Sequence, residues 1–292
     1  MFRGTFTALV TPFRNGAIDS SALERLIEAQ IRAGITGIVA VGTTGESPTL
    51  THDEREEVMR RAVQMGKGPC KILAGTGSYS TRDAVEATKR AEKLGADGAL
   101  LVAPYYNKPS QEGLFRHFQT IAQATSLPLM LYNIPGRCGV DIGVETVVRL
   151  AEACPNIVSI KEASGSVERV SELRVKLPNE FTILSGDDSL TLPFMSVGAV
   201  GVVSVASNLF PEKVCALVRA FESADPATAR ELHRQLFPLF KDLFIEPNPV
   251  PVKTALGWRG GMSGEVRLPL CEMSAANQAR LRKTLEEFER AS

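Results

Sequence analysis

Ile157-Val158-Ser159-Ile160-Lys161-Glu162-Ala163-Ser164-Gly165 is an apolar, β-branched run that ends in a lysine and then in small residues. A fully buried strand has this form, and Gly165 supplies the turn that follows it. The lysine therefore stands where a buried strand gives out. In a parallel α/β protein that is the carboxyl end of the sheet, where ligands bind. Desolvation there disfavours the charged ammonium and lowers its pKa. A neutral amine attacks a ketone or aldehyde carbonyl and forms a Schiff base. The competing reading is a lysine whose head reaches water over an apolar stem.

Working outward, the same beat recurs along the chain. Strand patterns fall at 5–11, 35–41, 71–74, 98–103, 127–132, the lysine stretch, 181–185 and 201–205. Helical spacing fills the gaps. Leu23, Leu26, Ile27 and Ile31 follow Asp19-Ser20 and stop at Gly34. Further helices are expected at 51–65, with acidic residues at its start, and at 81–94, closed by Gly95. Others are expected at 111–124, 143–153, 167–177 and 190–197. Eight strands alternating with helices predict an α/β protein, a (β/α)8 TIM barrel. An open doubly wound sheet fits less well, because no Gly-rich phosphate fingerprint follows the first strand. After Pro211 the strand signal disappears, and 214–221, 227–244, 251–256 and 275–290 are helical in pattern. The expected division is a barrel over 1–224 carrying the active site and a C-terminal helical domain over 225–292.

Composition sets outer bounds. The chain has 292 residues, 44% of them hydrophobic and 23% charged, ample for one large domain with a small appendage. Lys plus Arg equals Asp plus Glu at 33 each, so nothing in the net charge points to nucleic acid or an anionic membrane. No secretory pattern opens the chain, and no apolar run reaches the roughly 18 residues of a membrane span. The five cysteines, at 70, 138, 154, 215 and 271, include no CxxC pair, which argues against a disulfide framework or a zinc site. A reduced, cytoplasmic protein is expected.

The strand ends carry the chemistry. They are Thr43 and Thr44, Tyr105 and Tyr106, Tyr132 and Arg137, Lys161, and Gly186-Asp187-Asp188. His52, His117 and His233 all lie in helical stretches, so neither a Ser-His-Asp triad nor a metal cluster is supported. What remains is one amine, several hydroxyls and a guanidinium. Schiff-base chemistry needs the amine, and it needs proton donors and acceptors to remove water and shift protons. A phenol near the lysine does that, and a threonine hydroxyl can link two phenols. One substrate carboxylate suits the hydroxyls and N–H groups of Thr43-Thr44-Gly45, and a second suits the planar fork of an arginine. Each residue has a plainer reading. Tyr79, and to a lesser degree Tyr105, fit as core residues; Thr44 fits as a helix cap; Glu46 fits as a buried structural acceptor. Asp187-Asp188 fit as caps, Arg137 as a surface residue in a Pro-Gly turn, and Cys138 as packing.

Taken together, Gly42-Thr43-Thr44-Gly45-Glu46, Pro104-Tyr105-Tyr106-Asn107-Lys108-Pro109, Tyr132-Asn133-Ile134-Pro135-Gly136-Arg137, Ile160-Lys161-Glu162-Ala163 and Gly186-Asp187-Asp188 resemble the dihydrodipicolinate synthase family. That family lies within the pyruvate-dependent class I aldolases, and the likeness spans nearly the whole chain, including Phe244 to Lys253. The resemblance implies condensation of pyruvate with L-aspartate 4-semialdehyde to 4-hydroxy-tetrahydrodipicolinate, in diaminopimelate and lysine biosynthesis. It implies no separate cofactor or metal, because pyruvate itself forms an imine with Lys161. Tyr132 is then the proton donor and acceptor, linked through Thr43 to Tyr106, which reaches in from a neighbouring subunit of a dimer of dimers. Thr44 holds the pyruvate carboxylate, Gly186 and the strand around Val203 line the pocket, and Arg137 receives the carboxylate of the semialdehyde. Related lyases and dehydratases of N-acetylneuraminate and keto-deoxy sugar acids share the lysine and the tyrosine. Arg137 directly after Ile-Pro-Gly, together with Thr43-Thr44, favours the synthase over them.

The resemblance also implies a regulatory lysine site at Ser47, Pro48, His52, Arg55, Tyr79, Asp83 and Tyr105. Arg55 and Tyr79 depart from it, standing where sensitive members carry a second histidine and an asparagine. A fixed positive charge repels a cationic ligand, so weak or absent lysine inhibition is expected. Two other classes fit less well. A barrel acting on a phosphorylated sugar needs a phosphate cradle where the acidic Gly186-Asp187-Asp188 stands. A non-catalytic barrel does not account for an intact set of lysine, phenols and threonine.

Overall fold

Eight parallel strands close into a barrel in the computed structural model, which describes residues 2–291. They are β1 (Gly4–Ala8), β2 (Gly37–Ala40), β3 (Lys71–Gly75), β4 (Gly98–Val102), β5 (Leu129–Asn133), β6 (Ile157–Glu162), β7 (Thr182–Ser185) and β8 (Gly201–Ser204). They pair in sequence order, and β8 closes on β1. This is the (β/α)8 barrel that the alternation predicts. Several strands are shorter than their apolar runs. Leu9 still donates to the Val39 carbonyl at 3.0 Å, but the chain then leaves the barrel. It forms a small hairpin, Phe13–Arg14 with Ala17–Ile18, where only a polar turn was expected. Asn15 and Gly16 at its tip have φ of 53° and 79°, the left-handed pair that a tight hairpin turn requires.

The outer layer consists of α1 (Ser20–Arg32), α2 (His52–Gly66), α3 (Thr81–Leu94), α4 (Gln111–Gln123), the single turn α5 (Pro135–Cys138), α6 (Val144–Ala153), α7 (Val167–Lys176), α8 (Thr191–Ser196) and α9 (Pro211–Glu222). Their starts are chemically marked. Thr51 and Glu54 form a capping box on α2, and Ser80 caps α3, which ends on Gly95 in the left-handed region. Three further helices follow: α10 (Pro226–Asp242), α11 (Val250–Trp258) and α12 (Ala275–Ala291). Among the described residues no helix is long and apolar enough to cross a membrane.

Two apolar layers result from the alternation of side chains along each strand. Phe6, Val39, Leu73, Leu100, Met130, Leu184 and Val203 fill the barrel, with Phe2 beside them. Residues of opposite parity, such as Ile38, Leu101, Leu131, Ile160 and Ile183, pack outward against the helices. Register decides what faces inward at the mouth. Tyr132 pairs with Lys161 and Lys161 with Leu184 on neighbouring strands, so phenol and amine share the barrel interior. Asn133 and Glu162, one residue on, are likewise in register.

Candidate active site

Lys161 is only 6% exposed, and its Nζ lies 4.2 Å from the centroid of the Tyr132 ring. No ion pair reaches it among the described residues. Burial pulls its pKa down to about 7; the Asp188 carboxylate opposes this and the Arg137 guanidinium adds to it. A free amine is therefore accessible near neutral pH. Gly186 flanks the lysine: a Cβ there would stand 3.0 Å from Lys161 Cε and 2.8 Å from Ala163 Cβ. Only glycine lets β7 end so close to the amine.

Tyr132 is 5% exposed, and burial pushes its phenol well above the usual range, against the pull of Arg137 and of a hydrogen bond with Thr43. Its proton is therefore held at neutral pH. Val203 lies in the same inner cluster as Tyr132. Cys138, beside these groups, is 3% exposed and its thiol is pushed up to about 11 by burial, as suits packing.

A buried polar cluster tethers the ends of these two strands. Glu162, fully buried, accepts from Arg169 Nε at 2.7 Å and from the Ser164 N–H at 2.7 Å. Arg169 also reaches Asp141 at 3.1 Å, and Asn133 Nδ2 donates to Asp141 at 2.7 Å and to Glu162 at 3.2 Å. This cluster clamps β5 and β6 one residue beyond Tyr132 and Lys161. The sequence reading gave it no role.

Thr43 and Thr44 follow β2 in a turn with two left-handed residues, Val41 at φ 60° and Glu46 at φ 53°. Thr44 does not cap a helix. It is 3% exposed and accepts a hydrogen bond from Asn248 Nδ2 at 3.0 Å. Arg137, on α5, donates to the Asn248 carbonyl at 3.5 Å, which brings it to the mouth and not to a free surface turn. Asn248 is thus shared by two predicted site residues, although nothing in the sequence reading singled it out. Glu46 is the buried acceptor expected, taking Lys253 Nζ at 2.5 Å and the Arg267 N–H at 3.0 Å.

The two aspartates after β7 divide their roles. Asp187 caps the turn that follows, accepting from the Ser189 N–H at 2.9 Å. Asp188 is no cap for that turn. It is 1% exposed and accepts from the N–H groups of Val205 and Ala206 at 2.9 and 3.0 Å, tying the end of β7 to the end of β8. Burial raises its pKa.

Beside the mouth opens a cavity of about 480 Å³. Thr43 and Tyr132 line it, as do Ser47, Pro48, His52 and Arg55, and Tyr79, Asp83 and Tyr105. All seven positions of the expected regulatory site therefore share one cleft with Thr43 and Tyr132, two residues of the expected proton relay. Lys161 does not line it. Tyr79 is not a core residue: it is 54% exposed and meets Tyr105 edge-on at 5.2 Å. Arg55 donates to the Ser47 carbonyl at 2.8 Å, and its buried Nε has no partner. Tyr106 projects from the chain, 90% exposed, at φ 71°.

The geometry is that of a barrel with a buried, unpaired amine and a phenol at its mouth. A family model described as the dihydrodipicolinate synthetase family matches residues 1–288. The chain belongs to that family. Among its relatives is the 4-hydroxy-tetrahydrodipicolinate synthase of Nitratidesulfovibrio vulgaris (strain DP4), 51% identical over 284 residues and 97% of each chain. The synthase of that name from Aquifex aeolicus (strain VF5) is 50% identical over 288 residues, 99% of this chain and 98% of its own. A solved 4-hydroxy-tetrahydrodipicolinate synthase from Methylacidiphilum fumariolicum SolV is 60% identical and superposes with a TM-score of 0.98, covering 99% of this chain and 97% of that one. Family members of this likeness account for the barrel and for the helices α10 to α12 alike.

Proposed function

We propose that the chain is a lyase that condenses pyruvate with L-aspartate 4-semialdehyde to give 4-hydroxy-tetrahydrodipicolinate, the compound after which its relatives are named. One observation carries this reading: an inward-facing amine, unpaired and pulled to about 7, in register with a buried phenol. Lys161 Nζ attacks the keto carbon of pyruvate. Tyr132 donates a proton to the hydroxyl that leaves as water, and then accepts one from the methyl carbon as the imine becomes an enamine. The enamine carbon attacks the aldehyde, whose oxygen takes a proton and remains as the hydroxyl. The amino group of the semialdehyde then displaces Lys161 from the imine carbon, closing the ring and freeing the enzyme. One water is lost overall, and no redox partner is required.

Thr44 and neighbouring N–H groups hold the pyruvate carboxylate, and Arg137 the carboxylate of the semialdehyde. Thr43 passes protons between Tyr132 and a second phenol. In this reading Tyr106 serves the neighbouring subunit of a homo-oligomer, which suits a side chain 90% exposed in a left-handed backbone conformation. The same reading places the enzyme in the cytoplasm, in lysine biosynthesis. The test is to supply pyruvate with L-aspartate 4-semialdehyde or with N-acetylmannosamine and follow the products by mass. The semialdehyde should give a product equal to the two substrates less one water. Turnover of N-acetylmannosamine alone would overturn the assignment in favour of a sugar-acid lyase.

A further inference from the structure

Asn248 precedes α11, in the helical part of the chain, yet it is 6% exposed and wedged between two residues of the barrel mouth. Its Nδ2 donates to Thr44 Oγ1 at 3.0 Å, and its backbone carbonyl accepts from Arg137 at 3.5 Å. Its Oδ1 is buried and has no partner, so the contact with Thr44 is what anchors the amide. A hydroxyl carries one O–H and two lone pairs. With the Asn248 N–H on a lone pair, the proton of Thr44 remains free to be donated elsewhere. A carboxylate only accepts hydrogen bonds, so a donating Thr44 is the orientation that it needs. A turned amide would draw that proton onto Oδ1 and leave oxygen lone pairs facing the ligand.

The turn itself is held independently of Asn248. The Gly45 carbonyl accepts from Thr11 Oγ1 at 2.8 Å, and the Glu46 carboxylate is fixed by Lys253 and by the Arg267 N–H. Removing the Asn248 side chain therefore leaves the turn in place and frees only the rotation of the Thr44 hydroxyl.

We propose that Asn248 is a positioning residue that holds the Thr44 hydroxyl as a donor toward the carboxylate of the keto-acid substrate. The helical part of the chain, which supplies no reacting group, thereby sets the affinity of the barrel for that substrate. The inference rests on the pyruvate reading above.

Steady-state kinetics of Asn248→Ala, Thr44→Val and the double variant test it. Asn248→Ala should raise the half-saturating pyruvate concentration by about 10-fold, as expected for a hydrogen bond to a charged group. The double variant should be no worse than Thr44→Val, because Asn248 acts only through that hydroxyl. The half-saturating semialdehyde concentration should stay unchanged, since Arg137 holds the backbone of Asn248 and not its side chain. Asn248→Asp keeps the shape but only accepts, so it should weaken pyruvate at least as much as alanine does; it carries the test if the alanine variant does not fold. An unchanged pyruvate requirement in a folded variant, or losses in the double variant that multiply, would overturn the proposal. Wild-type protein that forms no pyruvate adduct would instead remove the reading beneath it.

Discussion

Lys161 and Lys253 are both buried lysines held over an aromatic ring, 4.2 Å from Tyr132 and 4.1 Å from Phe13. Their surroundings differ in one respect. Lys253 is fully buried against the Glu46 carboxylate at 2.5 Å and also donates to the Thr11 carbonyl at 2.8 Å. Burial lowers its pKa, but the charge and hydrogen bond of Glu46 push back. Lys161 has no such partner, and burial takes it to about 7. Desolvation without a contacting counter-charge makes a nucleophile, whereas desolvation with one makes a strut. Lys253, seated on α11, pins the helical part of the chain to the turn that carries Thr43 and Thr44.

The largest effect expected from this contrast is on turnover. Lys161→Met should lower it by more than about 10⁴-fold, as removal of a covalent nucleophile does, whereas the folded fraction of Lys253→Met should still turn over. Retained turnover in Lys161→Met would erase the distinction. Stability should show the reverse order. Lys253→Met strands the Glu46 carboxylate and should cost about 3–5 kcal/mol in denaturant unfolding, most of it recovered when Glu46→Gln is added.

Lys161→Met should stabilise the protein, and the pH dependence has a definite sign. The folded-state pKa is about 7 against an ordinary 10.5, so between these values the unfolded chain binds more protons and stability rises with pH. The gain from Lys161→Met should be largest below pH 7 and fade toward 10.5. A gain independent of pH would mean that the amine is not depressed.

A smaller effect concerns the phenol beside the amine. Tyr132→Phe should slow turnover by about 10²- to 10⁴-fold, the usual range for a proton-transfer group, while leaving a pyruvate adduct detectable at long times. The smallest effect lies at the cleft. Added L-lysine should leave initial rates nearly unchanged, because Arg55 already places a positive charge there. Half-maximal inhibition at low lysine concentrations would contradict that.

The barrel was legible because its signal is local and repeated: each strand and helix shows its own period, and eight repeats reinforce one another. The hairpin at Phe13 to Ile18 was missed because its strands are two residues each, although Asn15-Gly16 is a recognisable turn pair. Lys161 and Tyr132 were legible because strand carboxyl ends converge in any such barrel. The contacts of Asn248 with Thr44 and of Lys253 with Glu46 span 204 and 207 residues, and no periodicity encodes them. Lys253 did carry a signal. It stands in the apolar helix Val250–Trp258 with no acid a turn away, as a lysine with a distant buried partner does. Tyr79 misled because an aromatic side chain suggests a core, while it directly precedes Ser80, the cap of an outer-layer helix, and stands half exposed.

The most direct measurement is to treat the wild-type protein with pyruvate and borohydride, weigh it intact and map the modified peptide. A reduced pyruvyl adduct on the peptide containing Lys161, with none on that containing Lys253, is the predicted result. Folded protein that gains no adduct, or gains it on Lys253, would contradict the claim that burial without a contacting counter-charge selects the reactive amine.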